Sequence, residues 1–193
     1  MTASPDDNWR GLSLCVFCGG SEAAPAAHVS SARSLGRILG ERGIRLIFGG
    51  GEIGLMGAVA RGCMETGGVT YGVIPEFITH LERPCEGLSR LEVVQTMHER
   101  TARMHALADA FVALPGGIGT LEEVLEFSTY RSLGVHDKHI ILVNLDDFWR
   151  PLFRVFEAMA ELGYFREPWE PLFTVINSET EVVATLENLK LLR

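Results

Sequence analysis

The sequence predicts a single-domain α/β protein with a doubly wound parallel sheet of about seven strands and helices on both faces. Short apolar runs alternate along the chain with segments of helical periodicity, which is the order expected of strand–helix–strand units. Several runs are apolar throughout, as in strands that are buried on both faces. A length of 193 residues with 47% hydrophobic residues fits one domain.

The predicted strands are short runs rich in aliphatic, β-branched and aromatic residues. In chain order they cover 12–17, 44–48, 69–74, 91–94, 110–114, 139–144 and 173–176. Helical spacing of apolar residues predicts helices over about 25–42, 54–66, 97–108, 120–133, 148–162 and 178–192. The connection 75–90, rich in Pro, Gly and charge, is long enough to serve as an active-site lid. Residues 1–11 are expected to be a flexible segment ahead of a domain over 12–193.

Composition and charge remove several classes of function. The net charge of −8 argues against a nucleic-acid polymer or an anionic membrane as partner. No apolar run approaches the about 18 residues of a membrane span, so we expect a cytoplasmic protein. The lysines are only Lys138 and Lys190, and no glycine precedes a lysine, which excludes a P-loop and leaves no good Schiff-base lysine.

Glycine clusters follow three of the predicted strands, at 18–21, 49–54 and 115–120. Ligands bind at the carboxyl ends of parallel strands, where strand order reverses. Glycine lets backbone amides approach a phosphate there, and the following helix adds its positive N-terminal end. A single cluster is explained better by a tight turn alone, but three on one edge of the sheet favour phosphate binding. The corresponding candidate ligands in the first two clusters are Ser21, Gly50 and Gly51.

The second cluster also matches G-x-G-x-x-G through Gly49, Gly51 and Gly54, a pattern typical of dinucleotide binding. It follows the second strand rather than the first, and the acidic residue about twenty positions on, Glu76, lies past a proline. The chain is also too short for a separate substrate domain. A nicotinamide-dependent oxidoreductase is therefore a weak alternative.

Two charged positions are candidates for chemistry at the same edge. Glu123 lies one turn into the helix after the third cluster, where its carboxylate can sit beside the sugar of a bound nucleotide. The pattern Thr120-x-x-Glu123 also fits a capping box with a purely structural role, and the sequence leaves both interpretations open. Arg100 opens the helix after the fourth strand and could bind phosphate or base, although an arginine there is often only a surface charge.

These motifs together resemble the lonely-guy family of cytokinin-activating phosphoribohydrolases, long mislabelled as lysine decarboxylases. The P-G-G-x-G-T-x-x-E motif is matched over 115–123, the G-G-G-x-x-G-L-M-G turn over 49–57, and M-H-x-R by Met97, His98 and Arg100. The resemblance implies a Rossmann-like fold, a homodimer or larger homo-oligomer with the site near the interface, and no metal or organic cofactor. The implied reaction is hydrolysis of an N6-modified adenosine 5′-monophosphate to free base and ribose 5-phosphate.

The resemblance places the catalytic pair on Arg100 and Glu123. Substrate contacts carry over to the third cluster and the start of its helix and, with weaker support, to Glu82 and Thr129. With the candidates from the other segments added, the predicted substrate-binding residues are Gly116, Gly117, Ile118, Gly119, Thr120, Leu121, Glu122, Glu82, Thr129, Thr101, Met97, Gly50, Gly51 and Ser21. The family's lysine after the catalytic arginine is Thr101 here, which removes a cation. The family's Trp-Ala-Gln is replaced by 130–132, so Arg131 could restore that charge.

The predicted chemistry follows from the charges that develop when the C1′–N9 bond breaks. The ribose becomes positive, so the Glu123 carboxylate would stabilise it and position or deprotonate water, while Arg100 would hold phosphate or favour departure of the purine. The main alternative is a carrier or sensor that binds a nucleotide or the molybdenum cofactor without hydrolysis. Retention of both Arg100 and Glu123 favours the enzyme, whereas Thr101 keeps the carrier open as an alternative. Whether the substrate is AMP or an N6-substituted nucleotide stays open.

Overall fold

The computed structural model describes residues 9–165 and 168–192, which form one seven-stranded, all-parallel sheet flanked by helices. The predicted α/β fold class is therefore confirmed. The strands are β1 Ser13–Phe17, β2 Arg45–Phe48, β3 Thr70–Pro75, β4 Arg90–Val94, β5 Ala110–Ala113, β6 Ile140–Val143 and β7 Thr174–Ile176. Their order is β4-β3-β2-β1-β5-β6-β7, so the chain winds outward in one direction from β1 and in the other from β5. A crevice opens between these two strands at their carboxyl ends.

Seven α-helices connect or follow the strands within the described residues. They are α1 Ala26–Glu41, α2 Gly54–Glu65, α3 Glu76–Thr79, α4 Met97–Leu107, α5 Ile118–Ser132, α6 Arg150–Glu161 and α7 Val182–Asn188. Two differences from the sequence prediction matter: α5 begins at Ile118 rather than 120, and the last predicted helix divides into a 3-10 turn, Glu179–Glu181, and α7. The single-turn α3 lies within a segment predicted to be irregular.

The sheet separates two apolar cores because alternate side chains of each strand point to opposite faces. On one face, Leu14 and Leu46 pack with α1, α2 and α7. On the other face, Phe17 and Phe111 pack with α4, α5 and α6. Each such side chain contributes about 1.5–3 kcal/mol when fully buried, so the sheet gives the loops at its edge a rigid base.

The connection after β3 is fixed to the second glycine cluster. Gly51 and Pro84 form an antiparallel bridge, Glu52 N–H donates to the Arg83 carbonyl at 3.1 Å, and Cys85 N–H donates to the Gly50 carbonyl at 2.8 Å. The segment predicted as a possible lid is thus hydrogen-bonded to the sheet edge and forms a wall there.

The flexible segment predicted for residues 1–11 falls mostly on residues 1–8, which lie outside the described residues. From residue 9 onward the chain makes contacts, since the Trp9 indole N–H donates to the Leu12 carbonyl at 3.4 Å and the Arg45 guanidinium lies 5.4 Å from its ring centroid. Across 9–165 and 168–192, no helix combines the length and apolar character needed to cross a membrane. The four cysteines are buried free thiols.

Candidate active site

The three glycine clusters meet at the carboxyl edge of the sheet. Gly19 N–H donates to the Pro115 carbonyl at 3.1 Å, and Leu55 N–H donates to the Gly19 carbonyl at 2.9 Å. Gly54 joins the first and second clusters with a left-handed φ of 59°, and a Cβ there would lie 2.7 Å from the Ser21 nitrogen. These turns can pack together only because their close approaches involve glycine.

A cleft of about 330 Å³ opens over this junction. It is lined by Cys18, Gly19, Gly20, Ser21, Gly49, Met56, Pro75, Ile78, Glu82, Arg100, Gly117, Ile118, Gly119, Thr120 and Glu123. The volume lies in the range of small-molecule sites, and the lining combines bare backbone, apolar side chains and a few charges, as ligand sites commonly do.

The N-terminus of α5 faces the cleft without a side-chain cap. Its N-cap is Gly117, and its first turn contains no acidic residue. The first amides of an α-helix have no intrahelical acceptor, so this end presents free N–H groups and a partial positive charge. An anion such as a phosphate monoester fits this arrangement.

Gly117 and Gly119 have no steric reason within the protein to be glycine. Neither has a left-handed φ, and a Cβ on either would meet no atom within 4 Å. Glycine within a helix, as at Gly119, costs about 0.5–1 kcal/mol relative to alanine, whereas glycine is tolerated at an N-cap such as Gly117. The open space over these two residues leaves the uncapped helix end accessible to a ligand.

The capping-box interpretation of Thr120 and Glu123 is wrong. Thr120 is the third residue of α5 and is buried, and its hydroxyl packs so closely on Gly116 that a Cβ there would lie 2.1 Å from it. A capping arrangement forms instead at α4, where the Thr96 hydroxyl accepts from Glu99 N–H at 3.1 Å and the Glu99 carboxylate accepts from Gln95 N–H at 2.7 Å. Glu123 is thereby left for another role.

Glu123 forms an ion pair with Arg100 across the cleft. Arg100, in the first turns of α4, donates from Nη2 to Glu123 Oε1 at 3.1 Å, and the two side chains are only 17% and 14% exposed. The structure therefore brings together the two residues that the sequence assigns to catalysis. A pair this poorly solvated interacts more strongly than an exposed one.

Burial raises the pKa of Glu123 to about 7. The nearby Arg100 guanidinium lowers this pKa, and the Glu122 and Glu126 carboxylates raise it, so burial is the dominant influence. The carboxyl group is poised between its two protonation states near neutral pH. Cys18, which also lines the cleft, has its pKa raised by burial and by Glu123, so its thiol stays protonated.

The other predicted residues divide into three groups. Ser21 and Glu82 line the cleft together with the start of α5. Gly50 and Gly51 lie buried in the turn beneath it, with Gly50 at a φ of 80°, and Met97 contacts Arg100 from its sulfur atom at 3.9 Å. Also outside the cleft lining, like Gly50, Gly51 and Met97, are Gly116, Leu121, Glu122, Thr101 and Thr129.

The charge predicted to replace the family lysine does not reach the cleft. Arg131 lies in the last turn of α5 and donates to the carbonyls of Asp137, at 3.2 Å, and Lys138. The helix separates it from Glu123 by eight residues, or about 12 Å of rise. Thr129, on the same turn, is exposed and donates to the Leu125 carbonyl at 2.8 Å.

Seven lining residues were not among the predicted site residues: Cys18, Gly19, Gly20, Gly49, Met56, Pro75 and Ile78. The first three belong to the first glycine cluster, of which only Ser21 was named. Gly49 and Met56 belong to the second glycine motif, so the motif itself could have indicated them. Ile78 lies on α3, which the irregular composition of 75–90 concealed. Within residues 9–165 and 168–192, no group of three or more His, Cys, Asp or Glu side chains is arranged to hold a metal ion.

Comparison with known proteins gives consistent matches over most of the chain. A family model described as "Possible lysine decarboxylase" matches residues 56–186. The chain is 40% identical over 174 residues to a cytokinin riboside 5′-monophosphate phosphoribohydrolase of Oryza sativa subsp. japonica, covering 90% of this chain and 72% of that protein. It is 41% identical over 153 residues to one of Rhodococcoides fascians, covering 79% and 77%.

Solved structures share the fold at lower identity. A molybdenum cofactor binding protein from Rippkaea orientalis matches with a TM-score of 0.72 and 22% identity over 94% of this chain and 98% of that one. The molybdenum cofactor carrier protein of Chlamydomonas reinhardtii matches with a TM-score of 0.70 and 22% identity over 94% and 99%. Likeness at this identity supports the Rossmann-like architecture alone.

Proposed function

The chain belongs to the lonely-guy family of cytokinin riboside 5′-monophosphate phosphoribohydrolases, and we propose that its cleft hydrolyses a nucleoside 5′-monophosphate to free base and ribose 5-phosphate. The observation that carries the proposal is the Arg100–Glu123 ion pair beside the uncapped N-terminus of α5. This places an anion site and a carboxylate of raised pKa in one small cleft. The predicted alternative, a carrier of the molybdenum cofactor, rests on fold likeness alone.

The 5′-phosphate binds the N–H groups at the start of α5. The bare backbone of Gly117 and Gly119 lets phosphate oxygens approach the amides closely, and the helix dipole favours their negative charge. The phosphate does not react, so its binding energy serves to orient the sugar. Fixing the ribose beside Glu123 in this way can supply several kcal/mol of the barrier reduction.

Glu123 acts on the sugar and on water. As the C1′–N9 bond breaks, its electron pair leaves with the purine, and positive charge develops on C1′ and the ring oxygen. The ionised Glu123 stabilises this oxocarbenium ion and accepts one proton from the attacking water, whose oxygen bonds to C1′. The other proton of the water stays on the new C1′ hydroxyl group. The purine receives its proton from the protonated Glu123, directly or through solvent, which returns the carboxylate to its ionised form.

Arg100 has one nitrogen available for the substrate. Its Nη2 holds Glu123, whereas its Nη1 contacts the Met97 sulfur at 3.9 Å and no carboxylate among the described residues. That nitrogen can donate to the departing purine or to the phosphate and so lower the energy of the negative charge there. Arg100 also keeps part of the Glu123 population ionised near neutral pH.

The remaining lining residues fit the rest of a purine nucleotide. Glu82, whose carboxylate lies close to Gly51, can accept hydrogen bonds from the ribose hydroxyl groups. Met56, Pro75 and Ile78 give one side of the cleft an apolar surface for the base. Both AMP and an N6-substituted AMP present this combination of phosphate, sugar and flat apolar ring.

The protein is also proposed to act as a homodimer or larger homo-oligomer. Ile118, at the cleft, is 83% exposed and Leu81 is 76% exposed, which leaves apolar surface near the mouth of the site uncovered in one chain. Light scattering coupled to size-exclusion chromatography should give a mass of at least two chains. A monomer at micromolar concentration would contradict this part of the proposal.

Product analysis tests the reaction. The protein is incubated with AMP and, separately, with N6-isopentenyl-AMP, and chromatography quantifies base and ribose 5-phosphate. We expect equimolar amounts of both products from at least one nucleotide, and loss of both products in the Glu123→Gln variant. Release of inorganic phosphate with the nucleoside, or nucleotide binding without any base, would contradict the proposal, and the latter would favour the carrier.

A further inference from the structure

Gly49, the first residue after β2, lies directly beneath the Arg100 guanidinium. A Cβ at this position would lie 2.4 Å from Arg100 Nη2 and 3.4 Å from Cζ. Gly49 does not have a left-handed φ, unlike its neighbour Gly50 at 80°, so backbone conformation does not require glycine there. The close approach of the guanidinium does.

The other neighbours of Arg100 hold the guanidinium weakly. Met97 contacts Nη1 from its sulfur at 3.9 Å, and the buried Nε has no hydrogen-bond partner among the described residues. The carboxylate of Glu123 is the strong partner, through Nη2 alone. One hydrogen bond does not fix a planar group in three dimensions, so its position depends on the surface against which it packs.

We propose that Gly49 is a positioning residue for the hydrolysis, because its bare α-carbon sets the depth at which the Arg100 guanidinium meets Glu123. An alanine methyl group would force the guanidinium to move by about 1 Å to restore an ordinary contact of roughly 3.5 Å. Gly49 itself touches no reacting atom in this account. The inference rests on the proposed function for its kinetic consequences only.

The kinetic test is Gly49→Ala, assayed over a range of pH. A misplacement of about 1 Å should lower kcat on the order of 10- to 100-fold, with a smaller change in KM. Because Arg100 lowers the pKa of Glu123, its displacement should also move the midpoint of the pH–rate profile upward. An unchanged kcat and midpoint in a folded Gly49→Ala protein would overturn the inference.

A double-mutant cycle shows whether Gly49 acts through Arg100. In an Arg100→Ala background the guanidinium is gone and the remaining close neighbour of the methyl group is the Met56 sulfur at 3.2 Å. Gly49→Ala should therefore lower the residual kcat and the melting temperature much less than it does when Arg100 is present. Equal losses in both backgrounds would overturn the inference. If Gly49→Ala does not fold, the variant that carries both Gly49→Ala and Arg100→Ala is the test. Recovered folding of this double variant supports a clash between the methyl group and Arg100, and continued failure to fold contradicts it.

Gly40→Ala is the matched control. Its Cβ would lie 2.1 Å from the Thr66 hydroxyl, where α1 packs on α2 and away from the cleft. It should lower the melting temperature equally with and without Arg100 and leave kcat and the pH midpoint unchanged. The melting-temperature cycle does not depend on activity, so it separates failure of this inference from failure of the proposed reaction, which appears as absent hydrolysis in the unmodified protein.

Discussion

At the scale of single residues, burial disfavours the ionised form of Glu123, whereas the nearby Arg100 guanidinium favours it. Replacement by glutamine keeps the shape of the side chain but removes the charge that meets the oxocarbenium ion. Glu123→Gln should therefore lower kcat about 10²- to 10³-fold, the usual scale for one electrostatic group. Nucleotide affinity should change little, because the phosphate binds α5. Steady-state kinetics with calorimetric binding checks this, and a near-normal kcat with a reduced melting temperature would indicate a structural role only.

The raised pKa of Glu123 also predicts a pH dependence. The ionised carboxylate is the active form, so kcat should rise as pH increases through about 7, the pKa of this group in the folded protein. Glu126→Gln removes one of the negative neighbours that raise this pKa, and should move the midpoint of the profile to lower pH. A kcat that falls through this range would contradict the assignment of Glu123 as base.

The sequence predicted the catalytic pair but not how each residue is held. Motif spacing indicated Arg100 and Glu123, and the sheet brings them within 3.1 Å. The same spacing wrongly allowed a capping box at Thr120, because the pattern does not reveal that α5 begins at Ile118. The sequence also did not show where Arg131 points. Its guanidinium donates to carbonyls of the loop after α5, and no local sequence pattern specifies the path of that loop.

At the scale of elements, glycine in the first turn of α5 lowers the stability of the helix but leaves its amides open to the phosphate of the nucleotide. Gly119→Ala introduces a methyl group into open space and replaces a poor helix former. It should raise the free energy of unfolding by about 0.5–1 kcal/mol and raise KM for the nucleotide, because the methyl group obstructs the phosphate. Thermal unfolding and initial rates measured on one preparation test both effects.

Ser30→Ala is the control for this prediction, because Ser30 is exposed on α1 away from the cleft. It should improve helix propensity slightly and leave KM unchanged. If Gly119→Ala raised stability but left KM unchanged, the phosphate would not bind this end of α5.

At the scale of the whole molecule, the sheet was the most predictable feature because buried parallel strands carry a continuous apolar signal. All seven predicted strands occur within one or two residues of their expected bounds. The single turn of α3 was missed, since a four-residue helix has too little periodicity to detect and is held by its contact with the sheet edge. Local sequence pattern therefore predicts the strands of the sheet, whereas the short helix α3 beside the cleft depends on tertiary contacts that the pattern does not show.

The pH dependence of global stability should reflect His105, which stacks against Phe111 and Phe127 at centroid distances of 6.0 and 5.6 Å. Burial, Lys138 and His136 lower its pKa to about 4. Between pH 6.5 and 4 the unfolded chain binds a proton that the folded protein excludes, so the free energy of unfolding should fall as pH falls through this window.

His105→Phe should reduce this pH dependence. The ring stack is kept, and a buried Nε2 without a hydrogen-bond partner is removed. Urea unfolding at pH 7 and pH 5 measures the difference, with His98→Gln, an exposed change on the same helix, as control. An equal loss of stability on acidification in His105→Phe and the unmodified protein would assign the effect to other groups.

The ratio of kcat/KM for base release from AMP and from adenosine, measured with EDTA present, shows whether the 5′-phosphate positions the ribose for hydrolysis at Glu123. If the amides of α5 bind the 5′-phosphate and thereby place the ribose against Glu123, the nucleotide should be preferred by at least about 100-fold, because lost orientation costs on this scale. Comparable values for the two substrates, or no base released from either, would contradict the account.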